Sequence, residues 1–262
     1  MPDTRDTDPA KTPPSSPPHT GELPRIGLRR GRVLLVATGA IGVVHLPEWA
    51  MFLRVRYGWS VRVCLTHSAE RLVSREALAA VTQAPVEGPA WETRRGVVPH
   101  QELAEWADLV IVAPATTNFL AKCAAGITDS LALTSVVCAQ APVLLAPSVP
   151  EAALARPAVQ RNLRTLAEDG YHVVPMGRGV SAHRGAVAAS GMPGLPAVLR
   201  VAARVLPAAD DARAADPPLS GQRRDDARAA DPPLSGQRPP RETPPVTPSA
   251  GPGPRRTGAS RG

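Results

Sequence analysis

Apolar residues in this chain fall into short continuous runs, separated by longer stretches with helical spacing. "RVLLVAT" (Arg32–Thr38) is apolar, β-branched in part, and stops at a glycine, which predicts a buried parallel strand. "GAIGVVHLPEWAMFLRVRYG" then carries apolar residues at helical spacing and ends on Gly58. The alternation continues. Strands are predicted at Val61–Thr66, Leu109–Ala113 and Val143–Ala146, and a fifth in "YHVVPM". Helices are predicted near Ser68, from about His100, from Phe119 with a break near Gly126, across "RPAVQRNLRTLAEDG", and in "LPAVLRVAARVL". Strands alternating with helices predict an α/β fold, Rossmann-like or flavodoxin-like: a parallel sheet with helices on both faces, in three layers. Ligands in such folds bind beyond the carboxyl ends of the strands. The candidate positions are therefore Gly39–Ile41, His67–Ser68, Pro114–Asn118 and Pro147–Pro150.

Composition trims this picture at both ends. Of 262 residues, 31 are proline, most of them in the first 28 and the stretch beyond Pro207. Such segments bury too little apolar surface to offset the entropy of ordering. Residues 1–28 and 207–262 are read as disordered, leaving one domain over 29–206. The tail repeats "DDARAADPPLSGQR" at Asp210–Arg223 and Asp225–Arg238, which reads as a duplication in a tolerant terminus. The net charge of +7 sits partly in that tail, and only 3% of residues are aromatic. No groove-reading or zinc motif accompanies the charge, so nucleic acid is not an expected partner. Cys64, Cys123 and Cys138 have no metal-ligand spacing and form no even framework. The expectation is no metal and a reducing, cytoplasmic compartment. No apolar run reaches the roughly 18 residues of a membrane span, and no signal peptide is read.

The local motifs are weak one by one. "TGAIG" lacks full dinucleotide-binding spacing; it reads either as a tight strand-to-helix turn or as backbone N–H groups placed to hold a phosphate. Ser68 reads as a helix N-cap, a role compatible with facing a phosphate. His19, His45, His67, His172 and His183 read as ordinary surface or satisfied residues, and His100 alone would be ambiguous.

The residues downstream of His100 change its reading. "PHQELAEWADLVIVAPATTNFLAKCAAGITDSLALTSV" resembles the signature region of the homo-oligomeric flavin-containing cysteine decarboxylases. That family includes phosphopantothenoylcysteine decarboxylase and the peptidyl-cysteine decarboxylases of lantibiotic biosynthesis. Its pattern is an active-site His, a P-A-S-A-N-T turn 14 residues on, and a K-x-A-x-G-x-x-D helix. Here His100 stands 14 residues before Pro114; the turn reads Pro114-Ala115-Thr116-Thr117-Asn118, and Lys122, Ala124, Gly126 and Asp129 fit the helix. "VLLVATGAIG" and "VCLTHSAERLV" resemble the family's first two strand ends, so the likeness covers about Arg32–Val174.

The resemblance implies FMN as the cofactor, with FAD left open. Gly39, Ala40 and Ser68 would lie near the phosphate; Asn118 and the Thr116–Thr117 backbone would hold the isoalloxazine edge, with Pro114 and Ala115 also binding the cofactor; His100 would be the catalytic base or proton shuttle. It implies oxidation of the cysteine thiol carbon to a thioaldehyde, loss of CO₂ and an enethiolate product. It also implies a homotrimer or homododecamer, with Leu103, Trp106 and Phe119 at subunit contacts or in the core.

Two departures shape the substrate expectation. Where the family has P-x-M-N-x-x-M-W, this chain has Pro147-Ser148-Val149-Pro150-Glu151-Ala152-Ala153-Leu154, so Pro150 replaces a substrate-gripping Asn. Arg156 and Asn162 are the alternatives for recognising a carboxylate, or are ordinary helix-face residues. The flap "GRGVSAHRGAVAASGMPGLP" lacks the Cys with which phosphopantothenoylcysteine decarboxylases protonate the enethiol, and this sequence carries no fused ligase domain. The expected substrate is thus a ribosomal precursor peptide ending in Cys. The alternatives are a small cysteine-containing substrate of coenzyme A synthesis, or a non-catalytic flavin-binding protein.

Overall fold

The computed structural model describes residues 23–91, 96–181 and 185–207. The chain divides into two units, Met1–Pro218 and Leu219–Gly262, and everything described lies in the first. The repeat, His19, His183 and most of the two proline-rich segments lie outside the described residues.

Six parallel strands form the main sheet: β1 Arg32–Ala37, β2 Ser60–Leu65, β3 Val86–Glu87, β4 Leu109–Thr116, β5 Val143–Ser148 and β6 His172–Val173. Their spatial order is β3-β2-β1-β4-β5-β6. The order reverses between β1 and β4, and this is where the crevice of a Rossmann sheet opens. Alternate residues of each strand face opposite ways. Val33, Leu35 and Ala37 join one apolar core, Leu34 and Val36 the other. Helices α1 (Leu46–Tyr57), α3 (Arg75–Thr82) and α9 (Leu195–Val205) cover the first face. Helices α4 (Pro99–Trp106), α5 (Thr117–Ala124), α6 (Leu131–Val137) and α8 (Pro157–Glu168) cover the second. The three-layer α/β architecture expected from the sequence is the one observed.

Several elements differ from the sequence reading. A 3₁₀ turn, Ile41–His45, precedes α1. The helix expected near Ser68 is split into α2 (His67–Glu70) and α3, and the N-cap of α2 is Thr66, not Ser68. Strand β3 has no counterpart among the predicted strands. Nor does the antiparallel hairpin of β7 (Gly177–Ser181) and β8 (Ala186–Gly191), which occupies the flap segment. A short α7 (Glu151–Leu154) precedes α8. Leu23–Leu28, placed ahead of the domain on the sequence, packs against it: Ile26 is buried, Gly27 N donates to Pro207 O, and the Tyr57 hydroxyl donates to Pro24 O. Leu103 and Phe119 are core residues. Among the described residues no helix is long and apolar enough to cross a membrane.

Candidate active site

The expected binding position lies at the ends of β1 and β4. Strand β1 closes on Thr38, which is 2% exposed. Its hydroxyl donates to Pro114 O at 2.6 Å and accepts from Thr116 N at 3.0 Å. One buried side chain thus ties the end of β1 to the turn after β4. Thr38 belongs to none of the recognisable motifs, although a polar residue closing an otherwise apolar run is a usable signal. The Ala113–Pro114 peptide is cis, and the β4–β5 register slips between Val112 and Ala115. Ala113 and Ala115 consequently pack into different cores, and Thr116 ends the strand as the N-cap of α5, accepting from Phe119 N. Thr117 and Asn118 open that helix, with Asn118 exposed.

Gly39 follows Thr38 at the first strand end. A Cβ there would lie 2.3 Å from the Ser68 Cβ, so the two backbones approach as only glycine permits. Gly39 and Ser68, separate phosphate-side candidates in the sequence, are therefore neighbours. Ala40 stands beside them, extended, ahead of the 3₁₀ turn.

Pro147 and Ser148 pair with Ala115 and Thr116 across β5 and β4, so the two candidate segments form one rim. Pro147 is buried and Pro150 exposed. The structure accounts for Pro150 locally. It is the N-cap of α7, with φ −56°, and its carbonyl accepts from Ala153 N and Leu154 N at 2.9 Å. That position uses the carbonyl and has no need of an N–H. Arg156 is exposed at the N-cap of α8, and Asn162 is half-buried on the same helix.

His100 lies in the first turn of α4, after Pro99. Its Nδ1 is buried and has no hydrogen-bond partner among the described residues. Buried polar atoms are normally satisfied, and this nitrogen is left able to bond to a further group. The ring meets Trp91 edge-on, with centroids 5.3 Å apart. Trp91 in turn lines a cavity of about 420 Å³, together with Thr66, His67, Pro89, Asp129 and Ser130. Thr66 and His67 immediately precede Ser68, so this cavity adjoins the Gly39–Ser68 contact rather than the β1–β4 crevice itself. His67, an ordinary histidine on the sequence, is thus a cavity residue.

The Lys122–Asp129 motif also has a local reason. Lys122 Nζ donates to the Asp129 carboxylate across the loop after α5. Gly126 turns that loop with φ +67°, and Ile127 N closes back on Lys122 O at 2.9 Å. The loop delivers Asp129 and Ser130 to the cavity wall. Among the described residues no group of three or more His, Cys, Asp or Glu could hold a metal ion.

These features define a Rossmann-type α/β protein whose strand order reverses between β1 and β4, the place where such folds bind their ligands. The profile of the Flavoprotein family matches residues 26–203, and the chain belongs to that family. The chain is 39% identical over 145 residues to the coenzyme A biosynthesis bifunctional protein CoaBC of Bacillus subtilis, a match spanning 55% of this chain and 36% of that protein. It therefore spans about a third of the length of such curated relatives. Among solved structures it is similar to the FMN-dependent cysteine decarboxylase SpaF, at 34% identity and a TM-score of 0.56, covering 66% of this chain and 97% of that one. It is likewise similar to the FMN-dependent cysteine decarboxylase TvaF from thioviridamide biosynthesis, at 34% identity and a TM-score of 0.52, covering 58% and 90%. The resemblance drawn from the His100 and Pro114–Asn118 motifs is borne out by these neighbours.

Proposed function

We propose that this protein is an enzyme that binds a flavin and oxidatively decarboxylates the C-terminal cysteine of a ribosomally made peptide. The orphaned Nδ1 of His100, whose ring packs edge-on against the cavity-lining Trp91, carries the reading. The residues fit FMN. Gly39 and Ala40 offer backbone at a strand end with no Cβ in the way at Gly39, Ser68 offers a hydroxyl beside it, and Thr116, Thr117 and Asn118 offer donors and acceptors on the facing turn. FMN is favoured over FAD because both similar solved decarboxylases are FMN-dependent.

When bound, the flavin supplies the two-electron acceptor for oxidation at the thiol carbon. This chain's residues do the rest. Pro114–Asn118 and Pro147–Ser148 form one rigid rim that orients the cysteine. His100 would accept the thiol proton while one C–H hydrogen departs with its electron pair to the two-electron acceptor. The resulting C=S group is the sink for the electron pair of the breaking C–CO₂ bond. CO₂ departs and an enethiolate remains, so the peptide loses CO₂ and two hydrogens, about 46 Da. An imidazole can take and release protons near neutrality, which is why a histidine suits the position.

A second reading is decarboxylation of phosphopantothenoylcysteine, and the 39% identity to the CoaBC protein favours it. The flap segment from Gly177 to Pro196 contains no Cys. With no thiol there to protonate the enethiol, the peptide reaction that stops at the enethiol is preferred. We further propose that the protein works in the cytoplasm as a homotrimer or homododecamer. The testing experiment is a visible spectrum of the purified protein, then mass spectrometry of a Cys-ended peptide and of phosphopantothenoylcysteine after incubation. The expected result is a flavin spectrum and a 46 Da peptide loss that disappears in His100→Asn, about the mass of CO₂ plus two hydrogens. Conversion of phosphopantothenoylcysteine alone would establish the second reading. A colourless protein that takes up neither FMN nor FAD would refute both.

A further inference from the structure

Arg62 occupies an unusual place. On β2, Val61, Val63 and Leu65 pack into the core under α1, α3 and α9, while Cys64 packs into the opposite core under α4 and α6. Strand alternation puts Arg62 on the Cys64 side, under α4, where an apolar residue would be the ordinary choice. Its side chain is only 15% exposed. A charge held there must be compensated, and it is compensated by two different elements. Nη1 donates to Glu102 on α4 and Nη2 to Glu87 on β3, each at 2.8 Å. The guanidinium also lies 5.4 Å from the centroid of Trp106 on α4, which Arg32 approaches from β1 at 5.8 Å.

These two elements are the two supports of His100. Helix α4 carries His100 in its first turn. Strand β3 leads through the cis Gly88–Pro89 bond to Trp91, whose ring forms the edge-on wall against His100. Glu102 and Trp106 are four apart on α4 and so share one side of the helix. Two contacts on that side, a turn apart, fix the rotation of α4 about its axis, and with it the direction in which His100 points. The planar fork is what lets one side chain do this. A lysine has one point charge and could serve Glu102 or Glu87 but not both in this geometry.

We propose that Arg62 is a positioning residue for His100, holding α4 and the Trp91 segment in one register so that the imidazole faces the flavin site. The proposal rests on the reading of His100 as the proton-handling residue. The test is made on the full-length flavin-loaded protein with Arg62→Met and Arg62→Lys. Turnover of the Cys-ended peptide is separated into kcat and KM. The His100 ring resonance is followed by ¹³C-histidine NMR, assigned by its loss in His100→Asn.

In Arg62→Met, kcat is expected to fall about 10- to 100-fold, the scale of a misplacement near 1 Å. KM and flavin content should stay close to wild type, and the His100 resonance should move. Arg62→Lys is expected to lie between Met and wild type in both readouts. If Arg62→Met melts lower yet keeps its kcat and its His100 resonance below the transition, Arg62 is merely structural and the proposal is overturned. Should Arg62→Met fail to fold, Glu102→Gln and Glu87→Gln each remove one arm and are expected to act in the same direction by smaller factors; no change in either overturns the proposal. An inactive wild type would refute the proposed reaction, and the His100 resonance would then decide the positioning claim by itself.

Discussion

Thr38 shows how much one hydroxyl can organise. It satisfies a buried carbonyl and a buried N–H on β4 at once, and so joins the two strand ends between which the crevice opens. In Thr38→Val both Pro114 O and Thr116 N lose their partner. Chemical denaturation is expected to show a loss of about 1–3 kcal/mol, the usual penalty for stranding buried polar groups. The buried thiols make a second prediction. Burial, and then the nearby Glu87 carboxylate, push the Cys64 thiol up to about 12, and burial also raises Cys123. In the unfolded chain a thiol ionises at about 8.5. Above that pH the unfolded chain releases protons that the folded chain keeps, so stability is full below about pH 8.5 and falls as pH rises toward 12. Denaturation midpoints measured from pH 7 to 11 should decline in the upper half of that range, and decline less steeply in Cys64→Ala. The partners of neither residue are legible in the sequence. It marks Thr38 and Cys64 as residues at or near strand ends, but which partners they meet depends on β1 lying between β2 and β4.

Length separates only some of the elements the sequence announces: the two-residue β6 is legible in "YHVVPM", whereas the longer β7 and β8 are not. Six- to eight-residue strands such as β1, β2, β4 and β5 bury enough consecutive apolar side chains to be read directly. The two-residue β3 has too few positions for any period to appear and exists because Val63 and Cys64 offer it an edge to pair with. The break between α5 and α6 is legible at Gly126, since a residue with φ +67° there ends a helix in the way glycine favours. Pro150 is the element-scale test of substrate recognition. Asn is among the preferred N-cap residues, so Pro150→Asn should leave α7 intact and change stability by less than about 1 kcal/mol. It restores a side-chain donor at the rim. If that rim grips the peptide carboxylate, KM for the Cys-ended peptide should fall about tenfold, the worth of one hydrogen bond to a charged group. An unchanged KM would turn attention to Arg156 and Asn162.

At the scale of the whole molecule, the family match over residues 26–203 and the buried Ile26 place the start of the fold before residue 29. A chain of residues 23–207 should therefore melt at the full-length temperature and retain its flavin and turnover. A chain starting at Arg29 loses the Ile26 packing and the Tyr57–Pro24 hydrogen bond, and should be less stable by about 2 kcal/mol or more. Thermal melts of the three chains decide the point. The sequence by itself determined the layer architecture, because alternating strand and helix periods leave few ways to bury both kinds of apolar face. It also determined the order of the site motifs along the chain, from the Gly39 turn through His100 to Pro114–Asn118. Only the tertiary structure decided which of them meet. Gly39 touches Ser68, Thr38 clasps Pro114 and Thr116, and His100 stands against Trp91, because the strand order β3-β2-β1-β4 sets these loops side by side. That order is a property of long-range pairing, and no local pattern of residues encodes it.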